Sequence, residues 1–235
     1  MKLSRFTLIA GAVLGSLSLG AFADDHKAKP NTLTDKEKEE GWELLFNGED
    51  LSNFRNYNGE GIKEEWQVEE GAFTLTKKGG GDIITKNEYG AFELKLDYKI
   101  SKGGNSGIMY HVSEVKGSPP WHTGPEIQIQ DNVDGHDPQK AGWLYQLYPA
   151  DTDATNPAGE WNSVHIIISP EKCVHYMNGV KYCEYVKGSK DWNEKVAASK
   201  FSKFPNFGKP TKGHINLQDH GNVVSFRNVK IKPLD

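Results

Sequence analysis

The segment that decides the fold is Pro125-Glu126-Ile127-Gln128-Ile129-Gln130-Asp131-Asn132. Ile127 and Ile129 fall on one side of an extended chain and Glu126, Gln128 and Gln130 on the other, the two-residue period of a β-strand. One face therefore belongs in a core. The other carries a carboxylate flanked by two amides, where an ordinary solvent-facing strand would more often show Lys, Thr and Glu.

Two further segments repeat the arrangement. In residues 213–221, GHINLQDHG, the side chains of His214, Asn216, Gln218 and His220 alternate with Ile215 and Leu217; in residues 104–112, GNSGIMYHV, Asn105, Gly107, Met109 and His111 alternate with Ile108 and Tyr110. If the three strands are neighbours in one sheet, their polar faces merge into a groove. Amides suit sugar hydroxyls because they both donate and accept, and aromatic rings offer a stacking surface for the apolar side of a pyranose. Trp121, Trp143, Tyr145 and Trp161 lie in or beside loop-like segments that can supply such rings, although any one aromatic is more often a core filler.

Working outward, short β-patterned runs occupy most of the chain from Trp42 onward, separated by Gly, Asn, Asp and Pro, with no intervening long helix. That organisation implies an all-β antiparallel sandwich or barrel. One helical segment is expected over Asp191 to Phe204, with Trp192, Val196 and Phe204 available to cover a sheet edge. A second, very short helix is expected near the start, where Thr34-Asp35-Lys36-Glu37 fits a capping box and Gly41 can end it.

The chain has 235 residues and a net charge of −4. Lys2 and Arg5, an apolar run from Phe6 to Leu19, and Ala21-Phe22-Ala23 read as a secretory signal peptide over residues 1–23. Cleavage there would leave 235 − 23 = 212 residues and, without Lys2 and Arg5, a net charge of −6. The run is shorter than the roughly 20 residues of a membrane span, and no Cys follows it to accept a lipid. The expected product is exported, to a periplasmic or extracellular setting. Residues 24–40 read as a linker with the short helix, and residues 41–235 as one domain. No cluster of Lys and Arg stands out, which argues against nucleic acid or an anionic membrane as partner.

The two cysteines, Cys173 and Cys183, flank an Asn178-Gly179 turn. A three-residue loop would set them face to face, whereas a two-residue turn would set Cys183 against Val174. Export makes a disulfide between them the expectation, with reduced, packed thiols as the alternative.

Several motifs carry a family resemblance: GWELLFNGEDLSNF from Gly41, WQVEEGAF, GGGDIIT, YGAFELKLDYKI, GGNSGIMY, PEIQIQD, GEWN, SKF and the terminal GHINLQDHGNVVSFRNVKI. In this order they closely resemble the 3-keto-disaccharide hydrolase family, from about Thr34 to Leu234. The resemblance implies a concanavalin A-like jelly roll of two antiparallel sheets with a sugar-binding concave face, acting on glycosides oxidised at C3, by hydrolysis or by β-elimination. It further implies an upstream sugar oxidoreductase that makes the ketone. One departure is that His111 stands where many relatives have Arg.

The same fold hosts ordinary glucanases, which resemble one another in an E-x-D-x-x-E strand. Retaining glycosidases hold two carboxyl groups about 5 to 5.5 Å apart. Here Gln128 cannot ionise and Asp131 is out of phase with Glu126. A 3-keto sugar needs less: its ketone acidifies the C2 hydrogen, one base removes it, and the C1 substituent leaves. Required are a base, a donor or cation for the enolate oxygen, and an acid for the leaving group. Glu126 or His220 can be the base and His111 or His220 the acid. Gln128, Gln218, Asn105 and Arg227 can orient hydroxyls or hold the oxyanion, with Tyr145 and Trp121 as stacking surfaces. Lys200 can reach the groove or stay solvated.

No cofactor is assigned. A divalent cation is left open, since Glu126, His111, Asp131, His136 and His220 offer ligands, but none has the tight spacing of H-E-x-x-H. The alternative function is a non-catalytic carbohydrate-binding, lectin-like module, because fold and groove alone do not entail catalysis. Glu126 and His220 together in an amide-lined groove favour the enzyme.

Overall fold

Alternation sorts the chain into two antiparallel sheets, each with one face turned to a shared apolar layer. The computed structural model describes residues 29–234, so the expected signal peptide lies outside the described residues. Numbered in chain order, the five-stranded sheet runs β2 (Phe54–Asn56), β5 (Ile83–Thr85), β12 (His214–Leu217), β7 (Asn105–Val112) and β8 (Glu126–Gln130). The larger sheet runs β11 (Val180–Tyr185), β10 (Cys173–Met177), β9 (Trp161–Ile168), β6 (Phe92–Ile100), β13 (Val224–Pro233), β4 (Ala72–Leu75) and β3 (Trp66–Glu69), with β1 (Glu43–Leu44) also on β13. This is the jelly-roll sandwich that the family resemblance implies, and it settles the sandwich-or-barrel choice that the strand pattern leaves open.

Phe92, Leu94, Leu96, Tyr98 and Ile100 of β6 are buried, while the residues between them face outward. From the smaller sheet, Ile108, Ile127, Ile129, Ile215 and Leu217 complete the layer. Burying each such side chain contributes about 1.5–3 kcal/mol. The three segments with amide faces are adjacent strands, β12, β7 and β8, so their polar faces do share one outer surface.

The short helix forms over Asp35–Glu39 with its capping box complete: the Glu37 amide donates to Thr34 Oγ1 (3.2 Å) and the Thr34 amide to Glu37 Oε2 (2.9 Å). The later helical segment is a helix over Lys190–Ala198, followed by a separate 3-10 turn over Lys200–Lys203. Ser199, in extended backbone, ends the first and caps the second by accepting from the Phe201 amide. Trp192 and Phe201 are the side chains this segment buries, while Val196 and Phe204 are partly covered.

The hairpin joining β10 to β11 corrects the expectation of a disulfide. Asn178 and Gly179 form a two-residue turn with φ of 48° and 79°, and Met177 pairs with Val180. A bulge at Tyr182 then shifts the register, so Cys183 opposes His175 and Cys173 opposes Tyr185. The two cysteines are thus diagonal neighbours, about 7–8 Å apart in such pairs, and do not face each other as a bridged pair would. Both are buried thiols. Cys183 lies 3.3 Å from His175 Nδ1, and burial pushes its pKa up to about 12 while pushing that of His175 down to about 4. Thiol titration should find no reactive group in the native protein and two after unfolding without reductant; none after unfolding would restore the bridge.

Candidate active site

The pairing register builds the floor of the groove. Gly107 of β7 is paired with Gln128 on one side, and on the other its carbonyl accepts the amide of Gln218 (3.0 Å). In the adjacent row Met109 is paired with both Glu126 and Asn216. The Glu126 side chain reaches from its own row over Gly107: a Cβ there would lie 2.3 Å from Oε1 and 2.9 Å from the carboxyl carbon. The missing side chain at residue 107 is what gives the carboxyl its place.

Above this floor is a cavity of about 210 Å³. Glu126, Gln128, Asn105 and Gln218 line it from the sheet, and His220 from the exposed loop after β12. Trp121, Tyr145, Asp137 and Lys200 close it from the loops. The Tyr145 hydroxyl donates to Asp137 Oδ2 (2.8 Å), and Trp121 is braced edge-on by Phe204 at 5.0 Å. Lys200, first residue of the 3-10 turn, holds Nζ 4.3 Å from the Tyr145 ring centre and 5.0 Å from that of Trp121. Its charge therefore stands on aromatic faces at the mouth of the pocket.

Burial dominates the electrostatics. The Glu126 carboxyl is raised to about 8 by loss of solvent, with Asp82 and Asp137 adding to the rise and Lys200 opposing it. Lys200 is itself lowered by burial, an effect opposed by Glu126 and Asp137. Neutral Glu126 is thus the resting form near pH 7, and the pocket holds a carboxylic acid able to donate.

The amides are only half satisfied. Asn105 Oδ1, Gln128 Oε1, Gln130 Oε1, Asn216 Oδ1 and Gln218 Oε1 are buried and accept no hydrogen bond from the protein. Buried polar groups are nearly always paired in folded proteins, so five orphan acceptors on one face mark a surface built for a donor-rich ligand. Gln130 has a second task, donating from Nε2 to the carbonyls of Asp137 (3.0 Å) and Gln139 (2.7 Å) and so anchoring the loop that carries Asp137.

Of the residues singled out from sequence, Glu126, His220, Asn105, Gln128, Gln218, Tyr145 and Trp121 meet in this pocket. Two do not. His111 sits at a bulge in β7 with φ of 52°, where Val112 pairs with His214 and Met109 with Asn216, two partner residues spanning three. The bulge turns its ring away from the groove, to Gly90 O (2.7 Å from Nε2) and Lys187 Nζ (2.6 Å from Nδ1). Arg227 lies on the larger sheet, stacked 4.1 Å from the Trp161 ring centre and paired with Asp97 at 3.3 Å.

The suggested metal ligands are likewise dispersed: His136 is exposed, and Asp131 accepts the amides of Gly103 (2.9 Å) and Val133 (3.0 Å). No group of three or more His, Cys, Asp or Glu side chains that could hold a metal ion occurs among the described residues. Sequence reading missed Asp137 and Asp82 and left Lys200 undecided. Asp82 had a readable signal, since it stands one residue before a β-patterned run that follows the glycines.

This amide-lined groove on a jelly roll places the chain among glycoside hydrolase-like sandwich proteins. It belongs to the 3-keto-alpha-glucoside-1,2-lyase-like family, whose model matches residues 41–232. A 3-keto-disaccharide hydrolase of Bacteroides thetaiotaomicron is 33% identical over 231 residues, covering 83% of this chain and 79% of that protein. A crystal structure from Parabacteroides distasonis, described as a "putative glycosyl hydrolase", is 40% identical with a TM-score of 0.84 over 88% of this chain and 100% of the other. A Bacillus subtilis carbohydrate-binding module has the same fold at a TM-score of 0.50 and 11% identity, covering 77% of this chain and 95% of its own.

Two substitutions test the floor. Gly107→Ala should leave the melting temperature within a few degrees, because the clash is with a flexible side-chain end, yet lower turnover by about 10²-fold by displacing the carboxyl. Glu126→Gln should stabilise the protein at alkaline pH. The carboxyl's ordinary value is 4.5 and its folded value about 8, so between them the native state binds more protons than the unfolded one and stability falls as pH rises. Thermal melts should show wild type and variant alike at pH 4 and the variant higher above pH 8.

Proposed function

We propose that the pocket cleaves glycosides oxidised to the ketone at C3, a reading supported above all by a buried, proton-bearing Glu126 set among orphan amide acceptors. The sugar hydroxyls donate to Asn105, Gln128 and Gln218, which recovers hydrogen bonds the free protein lacks. Trp121 and Tyr145 flank the ring. Removal of the C2 proton leaves an enolate across C2 and C3, and the ammonium of Lys200 offsets the charge on its oxygen. Expulsion of the C1 substituent, with a proton to its oxygen, gives a C1–C2 double bond conjugated with the C3 ketone. Water adding at C1, with a proton returned to C2, completes a net hydrolysis; release before that step is the lyase outcome. Glu126 moves one of these protons.

The substrate ketone would come from a sugar oxidoreductase, and the setting we propose is outside the cytoplasm, following the expected signal peptide.

A 3-keto-glucoside incubated in heavy water with the protein should be cleaved, with deuterium at C2 beyond the spontaneous level, and the parent glucoside should be inert. Glu126→Gln should lower turnover of a 3-keto alkyl glucoside by roughly 10² to 10⁴ with little change in affinity, and Lys200→Met should lower it while leaving sugar binding nearly intact. Rapid cleavage of the unoxidised glycoside would make the protein an ordinary glycosidase; sugar binding without turnover would make it a lectin-like module.

A further inference from the structure

The elimination moves two protons, and Glu126 accounts for one. Asp82 immediately precedes β5, whose Ile83 and Ile84 pair with Leu217 and Asn216. Pairing ends at Ile83 and Leu217; one step further, the register carries Asp82 across from Gln218, at the end of the floor row formed by Gln218, Gly107 and Gln128. Parity agrees: Ile83 belongs to the apolar layer with Leu217, while Asp82 falls on the face of Asn216 and Gln218. Two donors fix the carboxyl in place, the Asp219 amide to Oδ1 (3.0 Å) and Asn216 Nδ2 to Oδ2 (3.3 Å). Asp219 is in turn clamped by the amides of Gly79 (3.1 Å) and Gly81 (2.8 Å), so the glycine run wraps this corner of the groove.

We propose that Asp82 is the second proton-transfer group of this pocket, taking the C2 proton while Glu126 protonates the departing C1 oxygen. The assignment rests on the 3-keto-glycoside reading. Atoms balance without a further reactant: the C2–H bond breaks to Asp82, the C1–O bond breaks as the oxygen takes the proton of Glu126, and water addition returns Asp82's proton to C2 and one to Glu126. Asp82 lies near enough to Glu126 for its charge to add to the rise of the Glu126 carboxyl. The titratable groups that reach Asp82 are Asp219, Glu126 and Tyr57. Loss of solvent raises its carboxyl to about 6, the amide donors limiting the rise, against about 8 for Glu126. Near pH 7 one is therefore ionised and the other protonated, the states a base and an acid require. The pH profile of kcat/KM should rise through the first value and fall through the second.

The experiment compares wild type, Asp82→Asn and Glu126→Gln on 3-keto methyl and 3-keto 4-nitrophenyl glucosides in heavy water, following cleavage and deuterium entry at C2 of recovered substrate. Asp82→Asn should lose at least 10²-fold in cleavage of both substrates and in C2 exchange. Glu126→Gln should keep the exchange, lose at least 10²-fold on the methyl glucoside, and lose under 10-fold on the nitrophenyl glucoside, whose leaving group needs no proton. Exchange within a few-fold of wild type in Asp82→Asn, or exchange lost in Glu126→Gln, would overturn the proposal while the cleavage reading stands. A wild type inert on both substrates would overturn both. If Asp82→Asn fails to fold, Asn216→Ala removes one donor from the Asp82 carboxylate and should move the acidic limb of the profile to higher pH; an unmoved limb would count against Asp82.

Discussion

A β-strand has two faces, and each strand of the five-stranded sheet gives one of them to the apolar layer. Ile108, Ile127, Ile129, Ile215 and Leu217 hold that sheet against the larger one. The constraint fixes everything on the other face: with register set by the core, Asn105, Gly107, Gln128 and Gln218 have no freedom to be anywhere but in the groove. A slip of one residue would move the isoleucines into the groove and the amides into the core, so the fold and the site stand or fall together.

Two kinds of buried polar group coexist in this protein, and the difference separates support from function. Beneath the hairpin, His175 Nε2 meets the Tyr185 hydroxyl at 2.9 Å, and that hydroxyl meets Tyr110 at 2.8 Å. These groups satisfy one another and brace the core. In the groove the amide oxygens have no protein donor, a condition that costs about 1–3 kcal/mol per buried group. Glu126 adds to the cost whenever it ionises. Stability is given up where a ligand with many hydroxyls restores it, and nowhere else on that scale among the described residues.

The loops decide how the groove becomes a pocket. Ser199 breaks the last helical segment so that Lys200 turns inward onto Tyr145 and Trp121. Gln130 pins the loop bearing Asp137, and Asp137 accepts from Tyr145. The Lys200 contacts join segments far apart in the chain, while the Gln130 and Asp137 contacts hold one loop against its neighbouring strand and ring, and together they place the acid, the cation and the rings around one small volume. The chemistry open to the site follows from that enclosure, since desolvation shifts both Glu126 and Lys200 toward their neutral forms.

Sequence alone determined what the two-residue period and local chemistry control: the antiparallel β architecture, the Thr34 cap, and the polar face that Glu126, Gln128, Asn105 and Gln218 take on their own strands. Periodicity is a property of the backbone, so it is legible without neighbours. It failed where the backbone departs from it. The bulges at His111 and Tyr182 turned one candidate ring away and set the cysteines diagonally, because one extra residue reverses every later facing. Arg227 shows the other limit, since a strand's sequence does not say which of two sheets it joins. Only the tertiary structure could bring Lys200 and Asp137 to the groove and Asp82 against Asn216, and only the solvent it excludes gives Glu126 a proton to hold near neutral pH.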